Sequence, residues 1–252
     1  MSIGPNDRES PREAYRAFWL TLPSFLAPIF DVMEVRLQAK RMQATLLEAD
    51  PPSIYRMDPS SEVDAAWMRI SDTRPMVISK EDVIALKKDV KRAAKWPSRL
   101  GFGSNAYIGR IDVFHQVHCL DALRREAHFD YHYAHKYPGG RNDTPPLHKL
   151  HLSHCIHLLL QNLMCNANVD IYTHFWTDTL SAPQPDFNIM HQCRNFDAIL
   201  EWQTANGVPE GEFFALELPA EYGPPVKMSR EYKELWNFTG DRPEDLKGEG
   251  VA

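Results

Sequence analysis

The sequence lacks a continuous apolar run long enough to cross a membrane. No stretch of its 252 residues reaches the ~18 apolar residues that a spanning helix requires. The nearest candidate, Ala17–Phe30, is shorter and is interrupted by Pro23 and Pro28. It does not end in a small-residue cleavage site, which makes it a poor secretory signal. We therefore expect no membrane-spanning segment, and a helix pair packed on the domain. A peripheral membrane contact or a homodimer interface is the alternative.

The sequence also lacks the charge distribution of a nucleic-acid-binding protein. Its formal net charge is -6, and its Lys and Arg residues form no basic stripe. Charged residues make up 25% of the chain and the hydrophobic set 43%, both ordinary for a soluble globular protein. We expect no nucleic acid as a partner, and a chain that is soluble as given.

Cysteine is scarce, and several catalytic motifs are missing. The chain has four Cys, and none belongs to the C-x-x-C-H motif of covalent haem attachment. No Glu-x-x-His pair is present, which argues against a carboxylate di-iron bundle. No G-x-S-x-G nucleophile elbow is present either.

Two weaker patterns are set aside on their context. Gly101–Ala106 matches the dinucleotide fingerprint, but no buried strand precedes it, so we predict a loop. His128–Asp130 has the H-x-D form of a non-haem iron triad, which His174 or His191 could complete. Such triads usually lie on a β-barrel, whereas this stretch is predicted to end a helix.

What the sequence does contain is one motif in two copies. His115–Cys119 reads HQVHC and His151–Cys155 reads HLSHC, so each copy has the form H-x-x-H-C. Residues three apart lie on one face of a helix, and both imidazoles of a copy can reach one point in space. A hydrogen-bonded core histidine is the usual explanation of one such pair. A repeated pair with the same cysteine register predicts a metal site.

The ligand types bear on the metal and its role. Imidazole suits zinc, copper, nickel and iron, and affinity alone favours copper. Each Cys directly follows a His and lies about 100° from it around the helix, so His118 and Cys119 are poorly placed to bind one ion. We therefore interpret the cysteines as disulfide partners or packing thiols. Histidine-only ligation with open positions is a catalytic arrangement more than a structural one, although a zinc-stabilised binding or structural protein stays open.

Hydrophobic periodicity predicts a mainly α fold of one domain, with two packed motif-bearing helices, a few short strands and long loops. The motif helices are expected at about 113–128 and 147–166, the second buried at the centre because it is apolar on almost every side. Further helices are expected within 13–48, 62–67, 79–95 and 193–204, and a mostly irregular tail from 219. We divide the chain into an N-terminal helical extension (1–55), a catalytic domain (56–240) and a flexible tail (241–252).

The doubled motif resembles that of the fungal UstYa-like proteins, a family named after an oxidase of ustiloxin biosynthesis. The resemblance covers about residues 56–205. It includes Ser60–Trp67, His118–Arg124, the second motif helix through Cys165, and the block His191–Arg194 followed by Trp202.

The resemblance implies a copper-dependent oxidase of fungal secondary metabolism that acts on a small natural product or peptide. One or two copper ions and dioxygen are implied, and family reactions include oxidative cyclisation, desaturation, hydroxylation and C–H halogenation. A non-redox family enzyme, a cyclase or dehydratase, is the alternative. The implied ligands are His115, His118, His151 and His154, with His191 as a weaker candidate.

Two expectations depend on the cellular location, which the sequence leaves open. Family members are usually anchored in the membrane of the secretory pathway by one helix, whereas this chain has only the proline-broken segment described above. Matched motif register predicts that Cys119 pairs with Cys155, which leaves Cys165 with Cys193. In a reducing compartment the same residues should be close but reduced.

Overall fold

Helices form most of the regular structure within residues 28–47, 51–219 and 224–239, which the computed structural model describes. The helices in this part of the chain are α1 (Ser61–Ser71), α2 (Lys80–Ala85), α3 (Asp112–Ala127), α4 (Phe129–Tyr133), α5 (Pro146–Asn166), α6 (Phe196–Asn206), α7 (Glu210–Phe214) and α8 (Arg230–Thr239). Short strands form antiparallel pairs: β1 (Leu37–Arg41) with β6 (Met190–Arg194), β2 (Met76–Ile78) with β3 (Tyr107–Gly109), and β4 (Thr173–Phe175) with β5 (Gln184–Asp186). The mainly α, single-domain prediction is confirmed.

The motif helices α3 and α5 are the two longest, and their local sequences explain where they begin and end. Asp112 opens α3, and Arg124 and Arg125 lie in its last turn, so the charges complement the helix dipole. Pro146 is at the first position of α5, where a missing backbone N–H costs nothing. The predicted bounds agree with the structure to one residue.

The surface of α5 differs from the prediction. This helix was expected to be buried on every side, yet only Leu147, His148 and Cys155 are buried, and Leu163 is 73% exposed. One face of α5 packs along α3, with Leu158 and Leu159 against the buried Cys119. Although α5 is apolar on almost every side, it is not central in the fold, because other helices cover only part of its circumference.

The stretch before residue 48 is also different from the prediction. Residues 37–41 were expected in a helix, but they form β1, whose Lys40 lies opposite His191 of β6. Backbone hydrogen bonding to a distant strand has overridden a weak helical periodicity. Ile29 and Val35 pack against Phe114, so this stretch lies on the domain. The boundary at 55 stays a prediction, and residues 1–27 and 241–252 lie outside the described part of the chain.

The remaining predicted helices, at 62–67, 79–95 and 193–204, are present, but each differs from the prediction in extent. Helix α1 begins after Ser60, whose side chain accepts a hydrogen bond from the backbone N–H of Val63 and caps the helix. Helix α2 starts at the predicted place, where Ser79 and Asp82 form a capping box. It ends by residue 85 instead of 95, just before Lys87 with a positive φ of 56°. Helix α6 begins three residues later than expected, at Phe196.

The C-terminal region contains a helix that was not predicted. Residues from 219 were expected to be mostly loop, whereas α8 spans Arg230–Thr239 and contacts α5. Residues 101–106 are irregular, as expected, and Gly101 and Gly103 have positive φ values that glycine adopts readily. Within the described ranges, no helix combines the length and the apolar character that crossing a bilayer requires.

A partly buried ion network joins α1 to α3. The Arg124 guanidinium donates to Asp121 at 2.7 Å and to Asp64 of α1 at 2.8 Å, and it lies over the Trp67 ring. Arg125 donates to the second oxygen of Asp121 at 2.9 Å. The Arg124 and Asp121 side chains are only 11% and 8% exposed, so solvent screens this pair weakly.

We predict that Asp121→Asn lowers the free energy of unfolding by about 3 kcal/mol, because it leaves two arginines short of a buried partner. The control is Glu234→Gln, which removes an ion pair whose Arg230 and Glu234 side chains are 87% and 60% exposed and should cost less than about 1 kcal/mol. Urea unfolding measures both. Equal losses in the two variants would contradict the structural role given to this network.

Candidate metal centre

The antiparallel packing of α3 and α5 brings the four motif histidines into one group. The ring centroids of His115 and His154 are 5.9 Å apart, and those of His118 and His151 are 5.8 Å apart. Within α3, the rings of His115 and His118 stack at 6.0 Å. Because each pair within a helix is separated by three residues, all four rings face the same interhelical space.

Both motif cysteines lie at the same interface, and their position corrects the sequence interpretation. The Cys119 sulfur is 4.0 Å from Nε2 of His115, and the Cys155 sulfur is 3.5 Å from Nε2 of His151. Each Cys lies four residues after the first His of its motif, so the two side chains are neighbours on one helix face. The sequence argument compared each Cys only with the His directly before it, so it missed the His that lies four residues earlier.

The most compact set of donor atoms includes a sulfur. In the described residues, the group of histidine, cysteine or acidic side chains that meets the spacing of a metal site consists of His115, Cys119 and His154. Their ligand atoms all lie within 4.8 Å of one another. Cys119 is therefore a candidate ligand that the sequence argument set aside.

The structure tests the two predicted cysteine pairs to different extents. Cys119 and Cys155 are buried neighbours in one core cluster, as expected, and both are free thiols. Cys165 is exposed at the end of α5, Cys193 is half-buried on β6, and these two are also free. The predicted proximity is confirmed for the first pair, and the second pair stays a prediction.

The structure separates His191 from the four motif histidines. Its Nδ1 lies 2.6 Å from a carboxylate oxygen of Asp170 and 2.8 Å from the side-chain amide of Asn168. Both partners follow the C-terminal end of α5, roughly 18 Å along the helix from His154. His191 as a further ligand of the motif centre stays a prediction.

Comparison with known proteins decides the family. A family model described as mycotoxin biosynthesis protein UstYa matches residues 4–206. The chain belongs to the UstYa family.

The UstYa relatives differ in their named activities and in the length that they share with the chain. The UstYa family oxidase aprY of Aspergillus flavus is 34% identical over 238 residues, 90% of this chain and 69% of the relative. The UstYa family oxidase phomYc of Diaporthe leptostromiformis is 31% identical over 64% of this chain and 62% of its own length. The transacylase cctO of Talaromyces islandicus is 30% identical over 51% of this chain and 44% of its own length. No solved structure matches.

Burial keeps two of the histidines in this UstYa-family centre neutral. Burial lowers the pKa of His118, and it lowers the pKa of His151 to about 4, with the neighbouring histidines as the next cause. Nε2 of His118 is buried and has no hydrogen-bond partner. A buried unpaired nitrogen costs about 1–3 kcal/mol, and a metal ion would give it a partner.

The pKa values of the two motif cysteines are shifted in opposite directions. The hydrogen bond between the two sulfurs lowers the pKa of Cys119 to about 5, with the His115 hydrogen bond contributing after it, and raises the pKa of Cys155. The Cys119 sulfur in turn raises the pKa of His115. Of the two sulfurs, Cys119 is therefore the one shifted towards the thiolate, the form that binds metals.

We predict that the metal-free protein loses stability as the pH falls from about 6.5 to about 4. The pKa of His151 is lowered from 6.5 to about 4 in the fold, so over this range the unfolded chain binds a proton that the folded chain excludes, and unfolding becomes more favourable. Between pH 7 and pH 5, the urea midpoint should fall less in His151→Gln than in the unaltered chain. Identical pH dependence in the two proteins would show that His151 is not held neutral.

Proposed function

We propose that this chain is a copper-dependent oxidase of secondary metabolism that uses dioxygen and acts on a small natural product or peptide. The observation that carries the proposal is the unpartnered, buried Nε2 of His118, which lies among three further histidines and beside a buried cysteine. Two relatives are named UstYa family oxidases, which supports the redox chemistry.

The donor set fits copper by its chemistry. Imidazole nitrogens and a cysteine sulfur are donors that copper binds well, and no carboxylate belongs to the compact group. His115, Cys119 and His154 would hold one ion, and His118 with His151 would complete its surroundings or hold a second. Copper bound there would supply one-electron exchange with dioxygen.

The protein's own part is to keep these donors ready to bind. His151 and His118 are neutral because they are buried, so metal binding does not have to displace a proton from either ring. The neighbouring Cys155 lowers the pKa of the Cys119 thiol, which favours the thiolate that a metal binds. Both helices are rigid elements, so the donors approach one point without a flexible loop.

Two alternatives stay open, and each has an observation behind it. Zinc also binds imidazole and thiolate, so the same residues could stabilise a binding or structural protein. The relative named a transacylase supports a non-redox family enzyme, such as a cyclase or dehydratase. The identity of the bound metal and its redox activity separate these alternatives from the oxidase.

We predict that His118→Gln and His151→Gln each lower copper affinity by about 10-fold or more, because each removes an imidazole from the group. The matched control is His157→Gln on the same helix as His151, where the ring hydrogen-bonds to Gln161 and copper binding should not change. Protein purified without a histidine tag is reconstituted, dialysed and measured for copper per chain by mass spectrometry.

Dioxygen uptake with ascorbate as reductant then tests the redox role without a known substrate. Copper-loaded protein should consume dioxygen, and the zinc-loaded protein and the two motif variants should not. If zinc resists replacement by copper, or if copper-loaded protein is inert, the oxidase proposal is wrong.

A further inference from the structure

A cavity of about 330 Å³ opens beside His115 at the N-terminal end of α3. Its walls include Ile111 and Arg110 from the segment that enters α3, and Phe213 and Phe214 from α7. This volume is at the lower end of the range for ligand sites. The cavity therefore has room for a ring-sized group of a substrate.

The walls of this cavity are mostly flat. The Phe213 and Phe214 rings meet edge to face, with centroids 5.4 Å apart, and the Arg110 guanidinium lies over the Phe213 ring at 4.6 Å. The His115 imidazole forms another planar wall. Planar π-systems pack preferentially against other rings in offset or edge-to-face contacts, which favours a flat, aromatic occupant over an aliphatic one.

The positive charge on the cavity wall, that of Arg110, is already paired. Arg110 donates to Glu210 at 2.7 Å and also to Thr73, and the Thr73 hydroxyl donates to the same carboxylate at 3.0 Å. Glu210 opens α7, so this network also holds the two phenylalanines over the start of α3. With Arg110 neutralised and the Asp112 carboxylate on the cavity wall, a negatively charged ligand is disfavoured.

We infer that this cavity is the substrate subsite of the centre and that it binds an uncharged aromatic ring. His115 belongs to the cavity wall and to the compact donor group at once, so a ring bound here lies next to the position proposed for the metal. That the ring belongs to the substrate rests on the proposed oxidase function. Binding of the ring itself requires no metal.

The test uses the metal-free protein and 4-methylphenol as the probe. Histidine ring signals are followed by ¹H–¹³C NMR, with the His115 signal assigned from His115→Gln. The His115 signal should shift and saturate, whereas those of His157 and His191, which lie outside the cavity, should stay in place. Phe214→Ala should weaken binding about fivefold, the size expected for one aromatic contact.

The matched control is Leu218→Ala. Leu218 lines a neighbouring cavity of about 940 Å³ that shares Phe213 and Phe214 but does not include His115, and its truncation should leave binding unchanged. Cyclohexanol and 4-hydroxybenzoate should both bind about fivefold more weakly than 4-methylphenol, because one lacks a π-face and the other carries a negative charge.

Three results would overturn the inference: an unmoved His115 signal, equal weakening by Leu218→Ala and Phe214→Ala, or equal affinity for cyclohexanol. Failure of the oxidase proposal looks different, since a chain that cannot use copper would still bind the ring. A chain that holds active copper and ignores the phenol overturns only the subsite.

Discussion

The register between α3 and α5 is the constraint on which the site depends. His115 faces His154 and His118 faces His151 only because the two helices run antiparallel at one fixed offset. Cys119, Ala122 and Cys155 form the core of that contact, and such small side chains let the helices approach closely. A shift of one residue along either helix would rotate its histidines by about 100° and disperse the donor atoms.

The helix α3 is also held in place by contacts outside the site. The partly buried network of Arg124, Asp121 and Asp64 fixes α1 against α3, and α3 is held at its other end by Phe114, which is fully buried with Ile199 and Leu200 of α6. The site can therefore retain a buried, unpaired His118 nitrogen. A buried polar atom without a hydrogen-bond partner, inside an otherwise well-packed fold, is typical of a functional site.

Sequence reasoning went furthest where the signal was local. Helical spacing within each motif and the helix starts near residues 62 and 79 are short-range features, and the elements they predict are present. It failed where distant partners decide: β1 exists because β6 lies beside it, and α5 is exposed because few elements cover it. Cys119 was missed as a candidate ligand although its signal was local, since His115 and Cys119 are four residues apart. The surroundings of His191 depend on tertiary structure, and only the fold shows that Asp170 is its partner.

The most direct test of the account is copper K-edge X-ray absorption on the protein loaded with one equivalent of copper. The account predicts a first shell of imidazole nitrogens with the outer-shell scattering of their rings, together with one sulfur at a bonding distance that disappears in Cys119→Ser and persists in Cys155→Ser. A shell of oxygen or nitrogen without imidazole scattering, unchanged by replacing the motif histidines, would contradict the claim that α3 and α5 together form a copper site.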